Sequence, residues 1–282
     1  MLRIVTDSSC DLSQEVVEEL GIIVVPLIVR IGKEEFLDTN LSVDEYWKKV
    51  HAARAQGLFP QTSQPSVGAF ERAFASLVEK GDSVLCITIT SHHSGTFNSA
   101  WAAAQRFGEA VSVFDSWSAS LGLGFQVMAA AQAAREGANL SEVLALLRGM
   151  RARTRLLAVL DTIEFVRMGG RANALIPILS RVMQFLQVKP IIGFVEGELK
   201  LLGQARTFST ALAEVEQRVE KLQPFEHLAV IHTRRPRDAQ VVADRLEEGM
   251  AFQGQILVKE TGAVLSSHAG PGVIGVIGVE VA

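Results

Sequence analysis

The sequence predicts an α/β protein of two domains: an N-terminal three-layer α/β/α domain with a parallel sheet over residues 1–154, and a C-terminal α/β domain with a mixed sheet over residues 155–282. Three observations carry this. In the first half, short apolar runs alternate with helical patterns closed by glycines, the order that builds a parallel sheet covered on both faces. In the second half, PIIGFVEGELKLLG sets two strand runs about a Glu-Gly turn, a hairpin signal and so an antiparallel pair. A chain of 282 residues is also longer than one typical core supports.

The elements follow in order. LRIVT (2–6) reads as a buried strand, and DLSQEVVEELG as a helix with Asp11 at its N-cap, Gln14 three residues on and Gly21 as its stop. IIVVPLIV (22–29) reads as one strand in which Pro26 marks an edge or a bulge. A hairpin around Gly32 leads to a helix with capping-box spacing at Ser42 and Glu45, ended by Gly57. Then come a Pro-containing loop (FPQTSQP), a helix from about Ser66 to Lys80, the strand VLCITIT, a helix opened by Ser94, the strand VSVF and two further helices. The second half offers the strand LLAVL (156–160), a helical segment ending at Gly169 and Gly170, and the apolar-rich stretch 172–188. After the hairpin come a helix (209–222), the strand HLAVI, a helix (237–248), the strand ILVKE and the tail GVIGVIGVEVA.

Composition narrows the function classes. Hydrophobic residues make up 48% of the chain and charges of both signs are interspersed, as in ordinary globular proteins. A formal net charge of -4 supplies no basic field for nucleic-acid phosphates. Cys10 and Cys86 form no disulfide framework and no CxxC metal pair, which fits a reducing compartment. Asp7 interrupts the N-terminus before a signal-peptide apolar region could form, and no apolar run reaches the ~18 residues of a membrane span. The expected location is the cytoplasm.

Three loops have the chemistry to hold an anion. SHHSGTFNSAW ends a strand and opens a helix at Ser94, Gly95 and Thr96. The first amides of a helix lack partners and carry the positive end of its dipole, so a carboxylate or phosphate there gains roughly 0.3 to 2 kcal/mol. Gly95 permits close backbone approach, while a hydroxyl at Ser94 or Thr96 adds a hydrogen bond. Ser94 equally fits a plain helix cap. The QTSQPS loop offers Thr62, Ser63 and Ser66, and also reads as a Ser/Thr turn before a helix. His268 lies in the Gly/Pro loop SSHAGPGVIG, where an imidazole is either solvated or a donor to the same anion.

Other chemistries find less support. A serine hydrolase would use Ser94, His268 and Asp7 or Asp115, yet GxSxG is missing around Ser94 and the histidine comes from the other domain. GLG at 122–124 is a fragment of a nucleotide fingerprint, without a P-loop lysine. His92 and His93 are adjacent, so they point apart if extended and make no metal pair.

Taken together, VTDSSCDL, PQTSQPS, SGTFNSA, FDSWSASLGLG, FVRMGGR and HAGPGVIG, in that order over nearly the whole chain, resemble the DegV family of fatty acid-binding proteins, the carrier subunits of bacterial fatty acid kinase systems. The resemblance implies two α/β domains with one long-chain fatty acid between them and no other cofactor. It assigns the carboxylate to Thr62 and Ser94, with Gly95 as the neighbouring backbone contact and His268 close to the same headgroup. It also implies a non-catalytic carrier that presents the acid to a separate kinase, which makes acyl phosphate for phospholipid synthesis. Arg171 in the GGR turn is then the kinase contact, with Arg206 on the same surface. Transient contact with a membrane surface is compatible with this role. His92 and His93 depart from the family's turn and would narrow or polarise the mouth of the site. Ile176, Leu179, Met183 and Leu186, at helical spacing, read as core or as tunnel wall.

Overall fold

The computed structural model describes residues 1–170, 188–222, 224–250 and 252–282. Its architecture is the expected two-domain α/β one. A four-stranded, all-parallel sheet has the order β2-β1-β6-β7, built from β1 (Leu2–Asp7), β2 (Ile23–Val25), β6 (Ser83–Thr88) and β7 (Val111–Asp115). A six-stranded mixed sheet has the order β10-β9-β8-β13-β11-β12. Its strands are β8 (Thr154–Val159), β9 (Lys189–Val195), β10 (Glu198–Ala205), β11 (Phe225–His232), β12 (Leu257–Glu260) and β13 (Ile274–Glu280).

The parallel strands run near-continuously apolar because both their faces are covered. On one face lie α3 (Val67–Val78) and α4 (Thr96–Ala104), burying Phe70, Phe74, Ala100 and Ala103 against Val5, Val84 and Cys86. On the other lie α5 (Leu121–Arg135) and α6 (Leu140–Arg153). Helix α5 is shared between the two sheets. Leu123, Val127, Ala130 and Ala131 join the core of the parallel sheet, while Leu121 and Phe125 join that of the mixed sheet. The far face of the mixed sheet is covered by α8 (Phe208–Leu222) and α9 (Pro236–Gly249) through Ala211, Val215, Val242 and Leu246.

A third, small sheet departs from the sequence reading. The run 22–29 is not one strand: the chain breaks at Pro26, so that β2 joins the parallel sheet and β3 (Ile28–Ile31) starts another. Proline lacks the amide a continued ladder needs, and the amide of Leu27 turns instead to the Ser8 hydroxyl at 2.9 Å. Strand β3 pairs antiparallel with β4 (Glu34–Leu37) and with β5 (Gln61–Ser63), so the expected QTS loop is a strand. Three residues carry too little pattern to announce it.

Capping follows the sequence at Ser42 and Ser66 but not at Asp11 or at Ser94, since the N-cap of α4 is Gly95. Helix α2 (Val43–Arg54) has the full capping box between Ser42 and Glu45, and Ser66 caps α3. Helix α1 (Gln14–Leu20) is capped by Ser13, not by Asp11. Asp11 instead adopts a left-handed conformation, φ 52°, and its buried carboxylate accepts the Ser120 hydroxyl at 2.6 Å and the Gly262 amide at 2.9 Å. Aspartate tolerates that conformation because its side chain bonds locally or across the fold. Gly262 begins α10 (Ala263–Ala269), so Asp11 ties the N-terminal domain to the helix that carries His268. His268 is therefore helical rather than in a loop.

The Glu-Gly hairpin is as expected. Glu196 and Gly197 both have positive φ, 51° and 80°, as a tight two-residue turn joining right-twisted strands demands. The tip packs hard on the other domain: a Cβ at Gly197 would lie 2.9 Å from Thr90 Oγ1 and 3.0 Å from rings of His92 and Trp117. Glycine is required there on both counts.

Candidate functional site

Open parallel sheets bind ligands beyond the carboxyl ends of their strands, where the strand order reverses. The order here places β2 on one side of β1 and β6 on the other, so the reversal lies between β1 and β6. The Asp7 carboxylate bridges it, accepting the amides of Ile89 at 2.8 Å and Ser9 at 3.0 Å. Burial raises the Asp7 pKa in spite of those bonds.

Past β6 the chain turns through Ile89 to Gly95 into α4, and this turn carries Ser94. The Ser94 Oγ accepts the Thr96 amide at 3.2 Å and pairs with the Thr96 hydroxyl at 2.8 Å. It thus engages the amide of the first helical residue from just outside the helix while also lining a cavity. Gly95 is the N-cap residue, and a Cβ there would stand 2.8 Å from Gln64 Nε2.

Thr62 reaches the same cavity from β5. Strand alternation turns Gln61 and Ser63 outward and Thr62 inward, opposite Val29 of β3. From the C-terminal half, α10 packs onto this small sheet and brings His268 Nε2 to 2.6 Å from Thr62 Oγ1. Helix α7 (Glu164–Gly169) closes the other side of the ring: a Cβ at Gly169 would stand 2.5 Å from His268 Nδ1. That is a physical reason for the first glycine of FVRMGGR.

Thr62, Gln64, His93, Ser94 and His268 line a cavity of about 120 Å³. A second cavity, of about 150 Å³, adjoins it, since Ala119, Phe194, Leu199, Leu265 and His268 line both. Its wall is almost wholly apolar and runs between the sheets past Leu156, Leu160, Val166 and Ile192. His232 also borders it, and burial lowers the His232 pKa, favouring the neutral ring. Among the described residues no Lys, Arg, Asp or Glu lines either cavity. The arrangement is a greasy channel with hydroxyls, imidazoles and one carboxamide at one end.

The structure brings together three of the expected residues, Thr62, Ser94 and His268, and sets Gly95 against Gln64 beside them. Arg206 is exposed just after β10 and lines neither cavity. Arg171, with Ile176, Leu179, Met183 and Leu186, lies outside the described residues. Its neighbour Gly170 borders a shallow polar depression together with Ser91, His92, Ser94 and Asn98.

Sequence reasoning missed Gln64, His93 as a lining residue, and the pair Phe194 and Leu199. Gln64 sits inside the QTSQPS motif and could have been read with it. Phe194 and Leu199 carry no signal that separates them from ordinary strand core. The acids considered for a hydrolase are engaged elsewhere: Asp115 accepts the amides of Ser91 and Trp117, and Asp7 those of Ser9 and Ile89. Among the described residues no group of three His, Cys, Asp or Glu could hold a metal ion, and no helix is long and apolar enough to cross a membrane.

Comparison with known proteins fits this geometry. A family model described as "Uncharacterised protein, DegV family" matches residues 1–280. A DegV domain-containing protein of Deinococcus radiodurans is 34% identical over 283 residues, covering 98% of this chain and 97% of its own. A fatty acid-binding DegV family protein of Thermus thermophilus superposes with a TM-score of 0.89 at 32% identity, covering 99% of both chains. A stearic acid-binding protein of Eubacterium ventriosum does so with a TM-score of 0.85 at 26% identity, covering 99% of this chain and 98% of its own.

Proposed function

The chain belongs to the DegV family, and on that premise we propose that it is a non-catalytic carrier of one long-chain fatty acid, which it presents to a separate kinase. The carboxylate sits at Thr62 and Ser94, beside Gly95 and His268, and the tail runs into the apolar cavity between the sheets. The observation that carries the reading is that the cavity bearing the Thr62 and Ser94 hydroxyls and the almost wholly apolar cavity share the walls Phe194, Leu199, Leu265 and His268.

The energetics divide the labour. About 14 methylenes of a 16-carbon acid, at ~0.8 kcal/mol each, give roughly 11 kcal/mol before ordering costs. An ionised headgroup without partners would cancel several kcal/mol of this. Hydroxyls and the first amides of α4 meet that need among the described residues, so the tail supplies affinity and the head supplies orientation.

The kinase docks over Arg171 and Arg206, and the acyl phosphate enters phospholipid synthesis. The setting is cytoplasmic, with transient membrane-surface contact when product leaves. Support for the docking side is the position of Gly170, next to Arg171 in the chain, beside Ser94.

Native mass spectrometry of the purified protein, followed by denaturing extraction, tests the reading. One co-purified or added long-chain acid per chain is expected. A protein that carries none and takes up neither palmitate nor oleate overturns it.

A further inference from the structure

His92 and His93 both face the β9–β10 hairpin. The Leu199 amide donates to His93 Nε2 at 2.8 Å, and the His93 ring packs against Phe194 with centroids 5.8 Å apart. At the tip, Thr90 donates to the Gly197 carbonyl at 2.8 Å, and His92 stands 3.7 Å from the Glu198 carboxylate. Phe194 and Leu199 are the hairpin residues that wall both cavities, so whatever holds the hairpin also sets the channel wall.

We propose that His93 is a positioning residue for the bound acid: its imidazole, accepting from the Leu199 amide, clamps the β9–β10 hairpin against the channel and so slows release of the ligand. The proposal rests on the carrier reading above. The bond needs an acceptor at position 93, which a carboxamide can supply and an alkyl side chain cannot.

The test uses the full chain loaded with cis-parinaric acid, a fluorescent polyene fatty acid, mixed with phosphatidylcholine vesicles. Release is followed at pH 7.5. His93→Gln keeps an acceptor, and His93→Leu removes it at similar bulk. His93→Leu should release about two- to tenfold faster than wild type, the worth of one hydrogen bond, and His93→Gln should restore most of the slow release. Slow release from His93→Leu, or release from His93→Gln as fast as from His93→Leu, would overturn the proposal. Amide exchange at Leu199 in the unliganded chain gives an independent readout: faster in His93→Leu than in His93→Gln if the clamp exists, unchanged if it does not. If no form takes up the probe, the carrier reading fails while Leu199 exchange still decides the clamp.

Discussion

His268 Nε2 and Thr62 Oγ1 lie 2.6 Å apart although 206 positions separate them in the chain. The contact joins the last helix of the C-terminal half to a three-residue strand of the N-terminal half. In the carrier proposed above both groups would face the carboxylate, and the bond would hold them together before a ligand arrives.

Replacing Thr62 and Ser94 together with Ala should weaken fatty acid binding by about a hundredfold or more, since hydrogen bonds to a charged group are worth roughly 1.5–3 kcal/mol each. Thermal stability of the empty protein should change far less. Displacement titration beside a melting curve makes the comparison, and full affinity with a lowered melting temperature would remove both hydroxyls from the headgroup site. A fluorophosphonate probe should leave Ser94 unlabelled in the parent protein.

Gly169→Ala should push the His268 ring off Thr62, because the new Cβ would begin 2.5 Å from Nδ1. Overpacking of this kind costs about 1–3 kcal/mol of stability. Binding should fall along with it, and Gly169→Ala/His268→Ala should recover stability without recovering binding. Denaturant titration of both variants checks this. A single variant as stable as the parent would mean the ring moves aside freely.

Asp11 gives a pH signature. Burial pushes its pKa up to about 6 from the usual 3.8, despite bonds from Ser120 and Gly262. A carboxyl that binds its proton more readily folded than unfolded adds stability as pH falls from above 6 toward 4, here by up to about 3 kcal/mol. His227 and His232 act in the opposite sense, since burial lowers both and the unfolded chain takes up their protons first. Melting the parent and Asp11→Asn side by side isolates the aspartate. The difference should shift in the parent's favour between pH 7.5 and pH 5, and a difference constant across that range would contradict the burial argument.

Charge reversal at Arg171 or Arg206 should leave fatty acid content intact and lower turnover by a cognate kinase. Arg206 is exposed, so its loss should cost little stability. Extraction of the lipid and a coupled kinase assay read the two effects separately. Loss of lipid with unchanged turnover would argue against a docking role.

The sequence by itself determined the local units and their chemistry. Periodicity placed the parallel strands, the capping box at Ser42 and the Glu196–Gly197 turn, because these depend on residues a few positions apart. The motifs containing Thr62, Ser94 and His268 were legible for the same reason. Only the tertiary structure decided how these units meet. Nothing local says that Asp11 leaves its own helix for Gly262, that Thr62 lies on a strand, or that Gly169 abuts His268. Nor could spacing show that His93 holds Leu199, since the contact spans 106 residues and both domains. Such contacts are set by the packing of whole sheets about α5, and the free energy that fixes them is shared among many apolar side chains rather than written in any one segment.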